Sequence, residues 1–364
     1  VEFREGLSQR FPSLTWVEGL QSPNSETVLV LPVQTETKAL EYYPNLFRPD
    51  WTPYYSLVRQ LWMEGFREFE FYSLGGSKRV SIPYLLDHFT DLHRGKRCFV
   101  VGNGPSLNRI DMTLLKDEIT LGSNRCYLGF ENWGFPFSYW GVGDWLQMEE
   151  YGPEYERNLP SEIPKFFSME YLPLLHFDNS CPLNLDNRFV VEPRFSASAD
   201  CLYLGSTVTY LLLQIAATMG CDPIILIGVD HRFEFKKGVN DSLSPFQVWK
   251  VGARKTVFQS IEGTAIHRFL RTYREVKKQM KKERGESLER TDFWVASDAT
   301  NPTHFDPRYV SGEAKRFSMP SPEISEKQFD CAHRWATDND RKILNATPGT
   351  ALESFPKIDF ESLF

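Results

Sequence analysis

The sequence has no apolar run long enough to cross a membrane. It has no Cys-x-x-Cys pair: its six cysteines, Cys98, Cys126, Cys181, Cys201, Cys221 and Cys331, lie far apart. That excludes a zinc ribbon and predicts reduced, mostly buried thiols in a cytoplasmic protein. Val1-Glu-Phe-Arg-Glu5 carries neither a basic n-region nor an apolar h-region, so no secretory signal is expected. Positive charge is in deficit, with 41 Lys and Arg against 48 Asp and Glu and a net charge of -7, which argues against a general nucleic-acid binder. A Gly-x-Ser-x-Gly elbow is absent, so Ser/His/Asp hydrolysis has little support. No internal repeat is present.

What is there is an ordinary globular composition, 41% hydrophobic and 24% charged, with 14% aromatic residues that predict a bulky core. At 364 residues the chain suffices for one large domain plus a smaller module. Residues 1–90 read as a small α/β appendage: a strand at Val28–Val33, a helix at Tyr54–Glu64 and a strand at Phe69–Tyr72. From residue 91 to 364 strands and helices alternate. The strands are expected at 98–102, 119–124, 137–142, 163–168, 189–192, 223–230 and 342–347, the helices at 107–115, 207–219 and 325–339. Pro223-Ile-Ile-Leu-Ile-Gly-Val-Asp230 lacks period-two alternation, as a strand buried on both faces does. The pattern predicts a doubly wound, mostly parallel, Rossmann-like α/β sheet. Residues 232–303 interrupt it with a lid-like insertion, whose helix near 263–289 carries Arg271, Arg274, Lys277, Lys278, Lys281 and Lys282. That run reads either as a solvated face or as a basic wall over an anion.

The most informative stretch is Gly102-Asn103-Gly104-Pro105-Ser106, which follows the apolar strand at Cys98. Two glycines permit close approach of a ligand, Pro105 fixes the turn, and Ser106 is placed to cap the next helix. This is how α/β proteins build phosphate sites, although the Walker A lysine and a third glycine are missing. Gly205-Ser206-Thr207, ahead of an apolar helix, offers a second anion site or a plain N-cap. Asn103, Asn124, Asp144, Asp230 and Asn345 all fall at strand ends, along the edge where open parallel sheets bind ligands. His304 lies in a polar, proline-broken loop, where a histidine is suited to act as general base near neutral pH, and His231 is its rival. Arg308 and Tyr309 stand close enough in sequence to meet phosphate oxygens. Asp144 and Asp230 would hold a divalent cation, but no Asp-x-Asp spacing supports a dedicated metal site.

Gly102-Asn-Gly-Pro-Ser-Leu107, Gly122-Ser-Asn124, Gly205-Ser-Thr207 and Leu226-Ile-Gly-Val-Asp230, in that order, resemble the family that joins motility accessory factor glycosyltransferases with archaeal 6-hydroxymethylpterin diphosphokinase-like proteins. The order is also similar to bacterial CMP-sialic acid sialyltransferases of modified GT-A fold. The resemblance covers roughly residues 95–350. It implies that Asn103 and Asn124 face the nucleotide's ribose and phosphate, that Ser206 and Thr207 face phosphate or donor sugar, and that His304 is the base. Asp144 stands where the sialyltransferases carry an amide, and a carboxylate beside phosphate calls for a cation. Three readings follow. The first is an inverting glycosyltransferase using a CMP-nonulosonate, with a glycan or protein acceptor and no required cofactor. The second is an ATP- and magnesium-dependent diphosphokinase with Asp144 and Asp230 on the metal. The third is a non-catalytic nucleotide-binding assembly module. Homo-oligomerisation is left open.

Overall fold

The computed structural model describes residues 28–32, 52–73, 76–172, 177–186, 192–232, 293–294, 303–310, 317–318 and 322–364. The expected basic helix near 263–289 and all but the last residue of the strand expected at 189–192 lie outside the described residues.

The fold is α/β. Seven strands form one sheet in the order β14 (Ile343–Asn345), β11 (Ile224–Ile227), β4 (Cys98–Val101), β5 (Ile119–Ser123), β6 (Tyr139–Gly141), β7 (Lys165–Ser168) and β8 (Ser180–Leu183). Every pairing in it is parallel. Two short pairs stand apart from it, β9 (Leu185–Asp186) with β10 (Leu202–Tyr203) and β12 (Phe293–Trp294) with β13 (Phe317–Ser318), and a one-turn helix α3 (Phe130–Trp133) lies between β5 and β6. The unbroken apolar strands have their reason here, because both faces are covered. Phe99, Val101, Ile225 and Ile227 enter one buried cluster, and Cys98, Val100, Ile224 and Leu226 enter the other. The second cluster includes α5 (Val208–Thr218), buried from Thr209 onward, and α6 (Pro322–Asp338). The first includes Tyr151 and Tyr155 of α4 (Trp145–Asn158).

The amino-terminal region forms a separate sheet of β1 (Val28–Pro32), β2 (Glu68–Ser73) and β3 (Gly76–Ser81), with α1 (Thr52–Met63) connecting β1 to its parallel neighbour β2. The hairpin partner β3 is an element the sequence reading lacked. Tyr55, Val58 and Leu61 of α1 and Phe69 of β2 join the first core cluster of the large sheet. A four-residue helix α2 (Leu86–Phe89) leads into β4. The strand β8 was also missed. Pro182 interrupts its pattern, which an edge strand tolerates because its outer N–H groups pair with nothing.

The helix expected at 107–115 is instead two 3₁₀ turns, Pro105–Arg109 and Met112–Leu115. Ile110 between them is extended, and the Asp111 carboxylate accepts from the Thr113 N–H at 3.0 Å, starting the chain afresh. The six cysteines are free thiols; four are buried, and Cys201 and Cys331 are half-buried. No helix among the described residues is long and apolar enough to cross a membrane.

Lys165 opens β7 with its side chain inside the protein, 2% exposed. Burial pushes its pKa down to about 8. Its ammonium donates to the carbonyls of Pro160 at 2.8 Å, Ser161 at 3.2 Å, Ile163 at 2.8 Å and Asp178 at 3.1 Å, tying two loops to the strand. Lys165→Met removes that donor from all four carbonyls and is expected to cost about 3 kcal/mol of stability in urea unfolding. A change within about 0.5 kcal/mol, the scale of an ordinary surface substitution, would deny the ammonium this role.

Candidate active site at the carboxyl edge of the sheet

From β4 the chain builds outward to β8, then returns to lay β11 on the other side of β4. The direction of winding therefore reverses between β4 and β11, where open α/β sheets form their ligand crevice. Here that crevice is closed by the protein itself. The Gly102 N–H donates to Ile227 O at 2.8 Å and the Gly104 N–H to Gly228 O at 2.9 Å. A Cβ on Gly102 would stand 2.3 Å from Gly228 O, and one on Gly104 would stand 1.9 Å from Asp230 Oδ2. The glycines thus serve the approach of two backbones rather than of a ligand. Asp230 Oδ2 accepts from Ser106 Oγ at 2.6 Å and Ser106 N at 3.4 Å, and its Oδ1 lies 3.8 Å from the Arg109 guanidinium. Ser106 makes no side-chain cap. The expected phosphate cradle of Gly102–Ser106 holds an internal carboxylate.

One strand further along, the edge is different. The Asn103 side chain donates to Ser123 O at 3.3 Å and Ser123 Oγ at 3.1 Å. Its Oδ1 is buried and has no hydrogen-bond partner among the described residues. Asn124, at the end of β5, sits in the left-handed region at φ 51°. Its carbonyl accepts from Trp140 Nε1 at 2.8 Å, and its Oδ1 is likewise buried and unpartnered. Two amide acceptors at neighbouring strand ends await donors, which suits hydroxyl or amino groups better than phosphate oxygens.

The segment 303–310 lies across this edge. Its Phe305 N–H donates to Asn103 O at 3.0 Å, and Asn108 Nδ2 donates to Phe305 O at 2.7 Å. His304 stacks on Tyr309, with 3.9 Å between ring centroids and 8° between planes, and its Nδ1 is 2.9 Å from Thr303 Oγ1. The Asn124 side-chain amide, donating toward the Tyr309 hydroxyl, opposes the rise that burial gives that group's pKa. Burial, reinforced by the nearby Arg125 charge, pushes the His304 imidazole down to about 3. The expectation of a base already poised near neutrality is therefore not met by this ring alone. Arg308 is clasped by Asp306 at 2.7 Å and donates to Leu128 O at 3.0 Å.

The sequence reading did not single out Arg125. Its guanidinium is 8% exposed, pairs with Glu154 of α4 at 2.6 Å, and stands 4.6 Å over the Tyr151 ring. Its NH1 donates to the backbone carbonyls of Arg308 and of Tyr309, the latter at 2.7 Å. An arginine one residue beyond a strand-end Asn was the only local signal, and its partners are remote in sequence.

The remaining expected residues do not join this edge. Thr207, not Ser206, caps α5, accepting from the Thr209 N–H at 3.3 Å. The Ser206 N–H donates to Gln328 Oε1 at 2.8 Å, and Ser206 Oγ is 2.7 Å from Ser325 Oγ, so α6 occupies the anion position expected there. A Cβ on Gly205 would collide with Tyr210 and Gln328. His231, at φ 52°, places Nε2 2.9 Å from Glu326 Oε2 and hydrogen-bonds the Pro322 backbone. Burial lowers its pKa while Glu326 opposes the shift, and the ring ties β11 to α6. The Asn345 amide oxygen accepts from Thr347 N at 3.0 Å inside its own turn. Asp144 lies in the loop between β6 and α4. As a magnesium site, Asp144 and Asp230 do not fit: Asp230 is already engaged by Ser106, and among the described residues no three His, Cys, Asp or Glu side chains converge.

No family model matches the sequence, and no curated protein matches it. A solved structure, that of an MAf glycosyltransferase from Magnetospirillum magneticum AMB-1, is similar to 78% of this chain at 11% identity with a TM-score of 0.41. The matched region spans 40% of that protein's length.

A depressed histidine pKa has a signed consequence for stability. The folded state refuses a proton that the unfolded chain accepts near 6.5, so His304's contribution is complete above that value and is lost as pH falls toward about 3. His93 and His231, also lowered, add the same sign. The stability difference between wild type and His304→Phe, which keeps the stack on Tyr309, should therefore shrink as pH is lowered from about 7 to about 4. A difference that is flat across this window would mean that His304 titrates normally in the folded protein.

Proposed function

We propose that this chain is an inverting glycosyltransferase that takes a nucleotide-activated acidic sugar, a CMP-nonulosonate, and passes the sugar to a hydroxyl of a glycan or protein. One observation carries the reading: the buried, unpartnered amide oxygens of Asn103 and Asn124, side by side at the carboxyl edge of a parallel sheet and next to the His304–Tyr309 stack. Such acceptors suit the hydroxyls of a ribose or sugar. The motif order that resembles the glycosyltransferase family supports the same assignment.

In this reading His304 takes the acceptor proton as the anomeric carbon becomes cationic. Its low pKa arises from burial and from the Arg125 charge. A nucleotide phosphate bound nearby supplies the opposing negative charge and raises that pKa toward the working range, so the base becomes active only with donor bound. No cofactor is needed. The magnesium-dependent diphosphokinase reading is less favoured, because the Asp230 carboxylate it requires is already committed to Ser106.

The test is a thermal-shift and calorimetric panel of CMP, UDP, ATP and GDP, each with and without magnesium. CMP is expected to stabilise the protein most, by about 2.7 kcal/mol at a hundredfold excess over its dissociation constant. Asn103→Ala and Asn124→Ala should each weaken CMP by roughly fivefold per folded molecule, the loss of a hydrogen bond of about 1 kcal/mol, beyond the fall in unliganded melting temperature that loss of the Ser123 contacts and of the Asn124 backbone preference brings. A response to ATP with magnesium alone would overturn the transferase reading in favour of the kinase. Unchanged CMP affinity in both variants would remove the two amides from the site.

A further inference from the structure

Arg125 brings three remote parts of the chain together. It follows Asn124 at the end of β5, pairs with Glu154 on α4, and reaches the backbone of a segment more than 180 positions further along, where Arg308 and Tyr309 supply carbonyl oxygens. The cation is nearly inaccessible to solvent, and such a charge is tolerated only when its donors are satisfied and its charge is matched. Both conditions hold. Nε lies 3.1 Å from Glu154 Oε1, and Tyr127 OH donates to the same oxygen, so the carboxylate is held from two sides. The Tyr151 ring lies against the guanidinium.

What the guanidinium holds is short. Residues 303–310 contain one 3₁₀ turn, Pro307–Val310, and flanking residues without regular structure. A segment this short cannot retain its position through its own hydrogen bonds. Its polar attachments include the Phe305 N–H on Asn103 O, Asn108 on Phe305 O, Arg308 on Leu128 O, and the two carbonyls on Arg125, while Phe305 and Tyr309 also pack into the first core cluster. Of these donors only Arg125 is a buried charge, and charge-assisted hydrogen bonds are roughly twice as strong as neutral ones.

We infer that Arg125 is the positioning residue of this site: its guanidinium, anchored by Glu154, fixes segment 303–310 across the strand-end amides, so that His304 and Tyr309 form a preformed wall of the ligand pocket rather than a lid that closes on binding. The inference gives a role in the proposed transferase site to a residue that touches neither reactant, and it rests on that reading only for the identity of the ligand. It separates the short segment from the rest of the fold, which does not depend on Arg125 for its strand pairing.

Hydrogen exchange tests it without any ligand. In Arg125→Met, the amides of Phe305, Asp306, Arg308 and Tyr309 should exchange about tenfold faster or more, while those of β4, β5 and α5 keep wild-type protection. Glu154→Gln removes the anchor and leaves the buried guanidinium unmatched, so protection of 305–309 should fall in the same direction as in Arg125→Met. Arg125→Lys keeps the charge but not the fork that spans two carbonyls, and should lie between wild type and Arg125→Met. If Arg125→Met does not fold, the Lys variant carries the same criterion. His304 titration followed by NMR is the second readout: its midpoint should rise in Arg125→Met and in Arg125→Lys, because segment release rehydrates the ring in both. Unchanged protection of 305–309, or acceleration spread evenly over the sheet, would overturn the inference. CMP added to the same samples separates the two claims. A wild type that ignores CMP defeats the transferase reading while the exchange pattern still decides the latch. A wild type that binds CMP, with affinity unchanged in Arg125→Met despite a loosened segment, defeats the preformed wall.

Discussion

The carboxyl edge of the sheet is arranged around the close packing of the β4 end against the β11 end. Gly102 and Gly104 donate to β11 and the residue beyond it, and Gly228 returns the contact with its carbonyl. No side chain fits between them. Asp230 then fills the turn, accepting from Ser106 as an external anion would. One strand away from that seal lie the ends of β4 and β5. There Asn103 and Asn124 each keep a buried acceptor without a hydrogen-bond partner among the described residues.

Charge is distributed with the same economy. Three buried or half-buried ions are matched at short range: Arg125 by Glu154, Arg59 by Asp87, and Lys165 by a ring of carbonyls. The two helix starts that looked ready for anions are already occupied by protein groups, Asp230 at one and Gln328 at the other. Electrostatic recognition of phosphate at those starts would require moving a carboxylate or a helix.

How much of this was legible depends on the range of the forces involved. The parallel sheet was readable because unbroken apolar strands such as Cys98–Val101 and Ile224–Ile227 can be buried only between two covered faces, a property of local pattern. Strand ends were likewise readable, since Gly, Asn and Asp mark turns through their own backbone preferences, and Asn124 and His231 do adopt the left-handed conformation. The short strand β8 escaped because Pro182 breaks its pattern, and the two 3₁₀ turns escaped because they carry the same apolar spacing as a helix.

The sequence by itself determined the α/β class, the strand-end position of Asn103 and Asn124 and the free thiols, because each follows from residues close together in the chain. Tertiary structure alone decided that the motif glycines Gly102 and Gly104 meet another strand, because that depends on β11 lying beside β4. It decided that Ser206 faces Gln328 and Ser325, that His231 faces Glu326, and that Arg125 grips residues 308 and 309. Those partners lie between about 95 and 184 positions away, and side-chain chemistry names the kind of partner a group needs but not which distant residue the fold will bring to it.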